Sequence, residues 1–354
     1  MTILRNTFAL ILITACVSCT ATFFLSKLYF KSSHSVIGSN DNEVEAAQSS
    51  NCSYKIKRLK GFRFIQPLQS AEPEDEGTNY ATIKSQMLGM IESYKNSGII
   101  TNASVYLRDF EKGNWMSINS NEVFHPGSLM KLPMLVTYLK MDEVNPGILN
   151  KKLILGAKPS GFPDQIYTAK QIEIGKAYTI GELLKYMIQY SDNYATFLLH
   201  QHVDKAEYNH TYLGVGLAVP DIYDRNYSIS AKAYSTFFKV LYNGGYLSFE
   251  HSEYVMELLS NSEFTLGFKA GLPAGTTIVH KFGEWGDGQA VNQLHESGLV
   301  YINGSAFLLT VMTSGRDAKK LPEVIAGLTQ LFYTTIGQSI TPNNSVSMLR
   351  SKKM

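Results

Sequence analysis

The chain has 354 residues, a formal net charge of +2 and 18% charged residues. That balance argues against nucleic acid or any strongly charged partner, and the length gives ample core for one large domain or two small ones. Cys16 and Cys19 lie in a hydrophobic N-terminal stretch, so Cys52, alone beyond it, has no internal disulfide partner there and no Cys-type metal site. The histidines lack H-E-x-x-H spacing, which argues against a catalytic zinc. The reading calls for no cofactor.

The chain opens on an uncharged run from Asn6 to Ser26, apolar apart from small Thr and Ser residues between Thr7 and Leu25. It is close to the roughly 20 residues that span a bilayer. Three readings are open. One is an uncleaved anchor, one is a signal peptide cut near Cys19-Thr20-Ala21, and one is a lipoprotein box at Ile13-Thr14-Ala15-Cys16. We favour the anchor, and in each case the remainder is exported. Residues 1–30 are thus an anchor or signal segment, and residues 31–79 a polar linker. Within that linker Lys55 to Gln69 alternates as a short strand does, and the acidic Ala71 to Glu76 sets it apart from the body.

From Tyr80 the pattern is globular, and the domain is expected over residues 80–338, followed by a polar tail at 339–354. Ile83, Met87, Met90 and Ile91 mark a helix over Ala81 to Asn96. Asn102 to Phe110 and Asn114 to Asn119 read as a hairpin around Glu111-Lys112-Gly113. Lys158 to Lys176 is loop-rich. Thr179-Ile180-Gly181-Glu182 is a capping box opening a helix to Tyr190. Helices follow at Tyr194 to His202 and Ser230 to Asn243. Strands are expected at Thr276 to Lys281, Gly298 to Ile302 and Ala306 to Met312, the last two joined by Asn303-Gly304, and a helix at Leu321 to Ile336. A sheet built from both ends of the chain must close around the middle. The fold class is therefore α+β, a sandwich with an inserted helical subdomain.

The chemistry gathers at His125-Pro126-Gly127-Ser128-Leu129-Met130-Lys131. Residues three apart share a helical face, so Ser128 and Lys131 lie side by side at the start of a helix. The apolar run after them, to Met141, predicts burial. A buried lysine loses its charge more readily, and a neutral amine beside a hydroxyl is a base beside a nucleophile.

Two further stretches join it. Ser191-Asp192-Asn193 offers a second hydroxyl to relay a proton and an amide to position lysine or substrate. In Lys281-Phe282-Gly283 a strand-end lysine suits a substrate carboxylate, and the glycine lets a substrate backbone lie against the strand.

S-x-x-K, S-D-N and K-x-G, in that order, form the motif set of penicillin-recognising serine enzymes. Over roughly Ala81 to Ile336 the sequence resembles the class A β-lactamase domain. Gly271 to Thr276, Ser297 to Val300 and Val311 to Gly315 fit its later strands. The resemblance implies a β-lactamase/transpeptidase-like sandwich, with a five-stranded antiparallel sheet flanked by helices. It implies Ser128 as nucleophile, Lys131 as base and Ser191 as proton donor to the leaving nitrogen, with Lys281 polarising Ser191. Asn193 would hold the substrate amide and Lys131, and the backbone amides of Ser128 and Glu284 would form the oxyanion hole. The expected partner is a small β-lactam or a peptidoglycan peptide.

Two departures stand out. Phe282 occupies a position that is Ser or Thr in the family, so a hydroxyl for the substrate carboxylate is missing. The E-x-x-L-N pattern that serves deacylation is also absent. Glu207 is placed too early, and Asp221 and Asp224 lie in a shortened loop over Tyr212 to Arg225. The expected activity is an exported serine acyl-transfer hydrolase with slow deacylation. The alternatives are a D-alanyl peptide-processing penicillin-binding enzyme or a non-catalytic wall- or antibiotic-binding module.

Overall fold

A computed structural model describes residues 53–58, 68–159, 165–167, 170–220, 227–286 and 291–340. The expectations for Thr7 to Leu25, for the tail past Ile340, and for Asp221 and Asp224 fall outside the described residues. Among the described residues, no helix is long and apolar enough to cross a membrane.

Strands β1 (Tyr54–Arg58) and β2 (Leu68–Pro73) pair antiparallel. This corrects the linker reading. Leu68–Pro73 takes up the start of the acidic segment expected to act as a separator, and it is tied to the body. Glu72 forms ion pairs with Lys239 and Arg108, the Trp115 indole donates to Pro73 O, and Glu76 accepts from Ser117. Polar composition hid the packing because these contacts are ion pairs and hydrogen bonds.

Helix α1 (Ala81–Asn96) leads to the hairpin β3 (Asn102–Asp109) and β4 (Trp115–Ile118), close to the expected bounds. A 3₁₀ turn at Gly127–Met130 opens α2 (Lys131–Val144). Strands β5 (Lys152–Ile154) and β6 (Ala177–Thr179) form a small ladder before α3 (Ile180–Gln189), whose Thr179–Glu182 capping box is complete. Helices α4 (Asn193–His202), α5 (Lys205–Gly214), α6 (Ala231–Tyr242) and α7 (Phe249–Ser260) follow. Of these, α5 and α7 were not expected. Asp204 and Ser248 cap them; α5 carries few apolar residues at helical spacing, whereas Val255, Leu258 and Leu259 give α7 a buried face that the sequence already held. A single turn, α8 (Phe268–Gly271), precedes β7 (Ile278–Gly286), β8 (Asn292–Ile302), β9 (Ser305–Gly315) and α9 (Leu321–Ile340).

The five strands run in the order β4-β3-β9-β8-β7, all antiparallel. Chain ends supply opposite edges. Alternation then divides the core in two. Val105, Leu107, Leu309, Val311 and Val300 pack towards α1 and α9, while Tyr106, Leu308, Met312, Leu299 and Val279 pack against the inserted helices. The β8–β9 hairpin turns at Asn303 and Gly304, both with positive φ.

Strands β7 and β8 are longer than their apolar cores suggested. Lys281 is therefore mid-strand, paired with Ser297, and does not end a strand. The extension presses β7 onto the 3₁₀ turn. A Cβ at Gly283 would lie 2.4 Å from Pro126 O, and one at Gly127, with φ +53°, 2.2 Å from Glu284 O. Only glycine fits at either contact.

Two outcomes test this packing. Removing one partner of a partly buried ion pair leaves the other charges poorly compensated, so Glu72→Ala should cost about 1–3 kcal/mol in chemical denaturation. Gly283→Ala should cost about 1–3 kcal/mol, because β7 and the Ser128 turn must separate. Unchanged midpoints for both would show that neither contact holds the fold.

Candidate active site

The 3₁₀ turn at Gly127–Met130 is fixed from several sides. Tyr234 donates to Leu129 O at 2.9 Å, and His295 Nε2 lies 3.0 Å from His125 O. The Thr313 amide donates to His295 Nδ1, so His295 is the Nε2-protonated tautomer and donates to His125. Burial drives its pKa down to about 3, which keeps it neutral. The His125 ring stacks on Trp285 of β7 at 4.8 Å. In a 3₁₀ turn residues i and i+3 eclipse, which sets Ser128 and Lys131 along one edge.

Lys131 is 3% exposed. Its Nζ lies 2.5 Å from Ser191 O, 3.1 Å from Ser191 Oγ and 2.8 Å from Asn193 Oδ1. Burial lowers its pKa to about 7, against the opposing pull of Asp192 and Glu284. Lys281 is fully buried, and its Nζ donates to the same Ser191 Oγ at 3.0 Å. Burial and then repulsion from Lys131 hold its pKa well below the ordinary lysine value. Two amines thus converge on one hydroxyl.

Ser191 reaches this position in a left-handed backbone conformation, φ +54°. A non-glycine residue is strained there. The bonds that its carbonyl accepts from Lys131 and from Gln165 Nε2, at 3.0 Å, hold it in place. Asp192 has a structural role: its carboxylate accepts from the Tyr194 and Ile172 amides and caps α4. That cap sets Asn193 at the first position of the helix, facing Lys131.

A cleft of about 230 Å³ runs past Ser128 and Asn193, bounded on one side by Glu284 and Trp285 of β7 and on the other by Gln165, Ile166 and Tyr167. The structure brings Ser128, Lys131, Ser191, Asn193, Lys281, Gly283 and Glu284 together around it. Gly283 faces the Ser128 turn in β7, so its want of a side chain serves strand packing, whatever it does for substrate. A larger hollow of about 550 Å³ between α6, α7 and the sheet has Ser252 and Ser260 but no lysine or histidine in its lining.

Three residues at the site were not foreseen: Gln165, Tyr167 and the Glu284 side chain. The Glu284 carboxylate accepts from the Ile166 amide at 3.2 Å and is also bonded by the Tyr167 amide, while the Tyr167 hydroxyl donates to Ala318 O. Nothing in a polar loop marks such long-range bonds, though the glutamate directly after K-x-G is visible in the sequence. Phe282 is buried against Phe264, with ring centroids 4.2 Å apart, and the Lys281 amine lies 4.2 Å from the Phe282 ring centre. Among the described residues, no group of three or more His, Cys, Asp or Glu is placed to hold a metal ion.

Comparison with known proteins bears on the family and the fold. The model of the Beta-lactamase enzyme family matches residues 85–336, more than half of the chain. Among solved structures, PBP-A is 21% identical, with 73% of this chain and 97% of that one covered and a TM-score of 0.59. A β-lactamase from Chitinophaga pinensis is 20% identical, with coverage of 72% and 99% and a TM-score of 0.61. A class A β-lactamase from Mycobacterium abscessus is 16% identical, with coverage of 72% and 99% and a TM-score of 0.57. These three share the fold. No curated relative matches the chain by sequence. On the extent of the family match, the chain belongs to the beta-lactamase enzyme family.

Proposed function

We propose that the chain is a serine acyl-transfer hydrolase, acylated at Ser128 by β-lactams or related cell-wall peptide amides. The observation that carries this reading is the Lys131 amine, buried, with a pKa of about 7, and bonded to Ser191 and Asn193 one turn from Ser128. The neutral amine takes the Ser128 hydroxyl proton as Oγ bonds to the carbonyl carbon and an electron pair moves onto the carbonyl oxygen. The backbone amides of Ser128 and Glu284 hold that oxyanion. On its collapse the C–N bond breaks, and the electron pair leaves with nitrogen. The proton held by Lys131 then reaches that nitrogen through Ser191 Oγ. An acyl ester and a free amine result, and water later cleaves the ester to an acid and restores Ser128. The acyl-enzyme of a PBP-A mutant with penicillin G is the same kind of species.

Deacylation is the slow half of this cycle. It needs a base for water, and the glutamate of the E-x-x-L-N pattern that serves this step in the family is missing from the sequence. The apolar run between Thr7 and Leu25 supports a location on the outer side of a membrane, with that segment as anchor.

Intact-mass analysis after incubation with penicillin should show one adduct, lost in Ser128→Ala; an adduct that survives places the nucleophile elsewhere. Acylation should rise with pH as Lys131 loses its proton, levelling above about 7. Lys131→Arg cannot supply a neutral amine and should be slower by about 100-fold or more. A flat pH profile, or an arginine variant as fast as the parent, would remove lysine as the base. A chromogenic cephalosporin should give a burst of about one equivalent before a slow steady rate. Rapid linear turnover would contradict slow deacylation.

A further inference from the structure

Among the described residues that line the cleft there is no lysine or arginine. Lys281, the group that would meet a substrate carboxylate, is fully buried. Its Nζ is taken up by Ser191 Oγ and covered by the face of Phe282, 4.2 Å away. Lys131 is enclosed by Ser191 and Asn193. Arg316, two positions from the lining Ala318, is exposed and outside the cleft.

The one carboxylate in that lining is Glu284. One of its oxygens holds the Ile166 amide. The other, Oε2, is buried with no hydrogen-bond partner among the described residues, and no lysine or arginine there pairs with it within ion-pair distance. No ion pair among the described residues cancels its charge by direct contact; burial raises its pKa, while the Ile166 and Tyr167 amides and, through space, Lys131 and Lys281 favour the carboxylate. The leaving nitrogen of a substrate must sit at Ser191 Oγ, and Lys281 of β7 touches that same oxygen, so the substituent on that nitrogen lies along the cleft-lining end of β7 at Glu284.

Resting on the acyl-transfer reading, we infer that this site selects amide donors whose leaving portion is neutral or cationic, and that Glu284 is the residue that rejects a carboxylate there. An amine or amide group on the leaving side finds an acceptor in Glu284. A carboxylate finds a like charge and a covered lysine. Phe282 adds to the selection by offering no hydroxyl, its ring being buried against Phe264 and over the Lys281 amine.

The test compares acylation rates of the full chain with benzylpenicillin, its carboxamide and its aminoethyl amide, in which only the ring carboxylate changes. Intact mass reports the adduct. In the parent chain the aminoethyl amide should react at least about tenfold faster than benzylpenicillin, with the carboxamide between them. Glu284→Gln, which keeps an acceptor for the Ile166 amide, should bring the extremes to within about threefold. Phe282→Thr should speed benzylpenicillin more than the aminoethyl amide. The order within the parent needs no variant, so a misfolded substitution does not remove the test. Benzylpenicillin reacting as fast as the aminoethyl amide, or a ratio unmoved in folded Glu284→Gln, overturns the selection while leaving Ser128 acylation standing. No adduct with any of the three overturns the acyl-transfer reading and this inference together.

Discussion

Burial of the Lys131 amine is the constraint on which the rest of the site depends. A charged lysine is costly to remove from water, and the protein meets that cost by letting the amine lose its proton near neutrality while Ser191 and Asn193 accept its hydrogen bonds. Everything around it serves that position. The strained Ser191 backbone points its carbonyl at the amine, Asp192 caps the helix that carries Asn193, and Gln165 braces the same carbonyl from the far side. A second buried amine, Lys281, adds repulsion that depresses its own pKa further and leaves Ser191 Oγ between two nitrogens.

Placement of the nucleophile depends on backbone contact. Gly127 and Gly283 let the Ser128 turn and strand β7 approach to a distance that no side chain would permit. The approach brings the Ser128 and Glu284 backbones to the same side of the cleft, where an oxyanion would be held. It also explains why the third motif needs a glycine even apart from any role in substrate docking. His295, neutral and buried beneath the turn, fixes the entry to it through His125.

Much of the sheet was legible because alternation and the Asn303-Gly304 turn are local signals, and so were α1 and the capped α3. The motif residues were legible as a set because their chemistry is specific in combination. What could not be read depends on contacts distant in sequence. The β1–β2 hairpin looks like linker because ionic contacts of Glu72 with Lys239 and Arg108, rather than apolar periodicity, attach it. The ends of β7 and β8 were placed short because polar residues continue a strand once a neighbour supplies the ladder. Phe282 read as a lost hydroxyl, yet its buried ring also covers Lys281. Glu284 drew notice only for its backbone, and its side chain gains meaning from the loop at Gln165, Ile166 and Tyr167 that folds across to it.

A direct measurement of the protonation state of Lys131 bears most closely on this account. Carbon-13 NMR of ε-labelled lysines, with the Lys131 signal assigned by its loss in Lys131→Arg, follows the amine through a pH titration. The account predicts a midpoint of about 7, well separated from the exposed lysines. A Lys131 signal titrating with those lysines, near about 10.4, would show the amine to be charged at neutral pH and would contradict its role as the base.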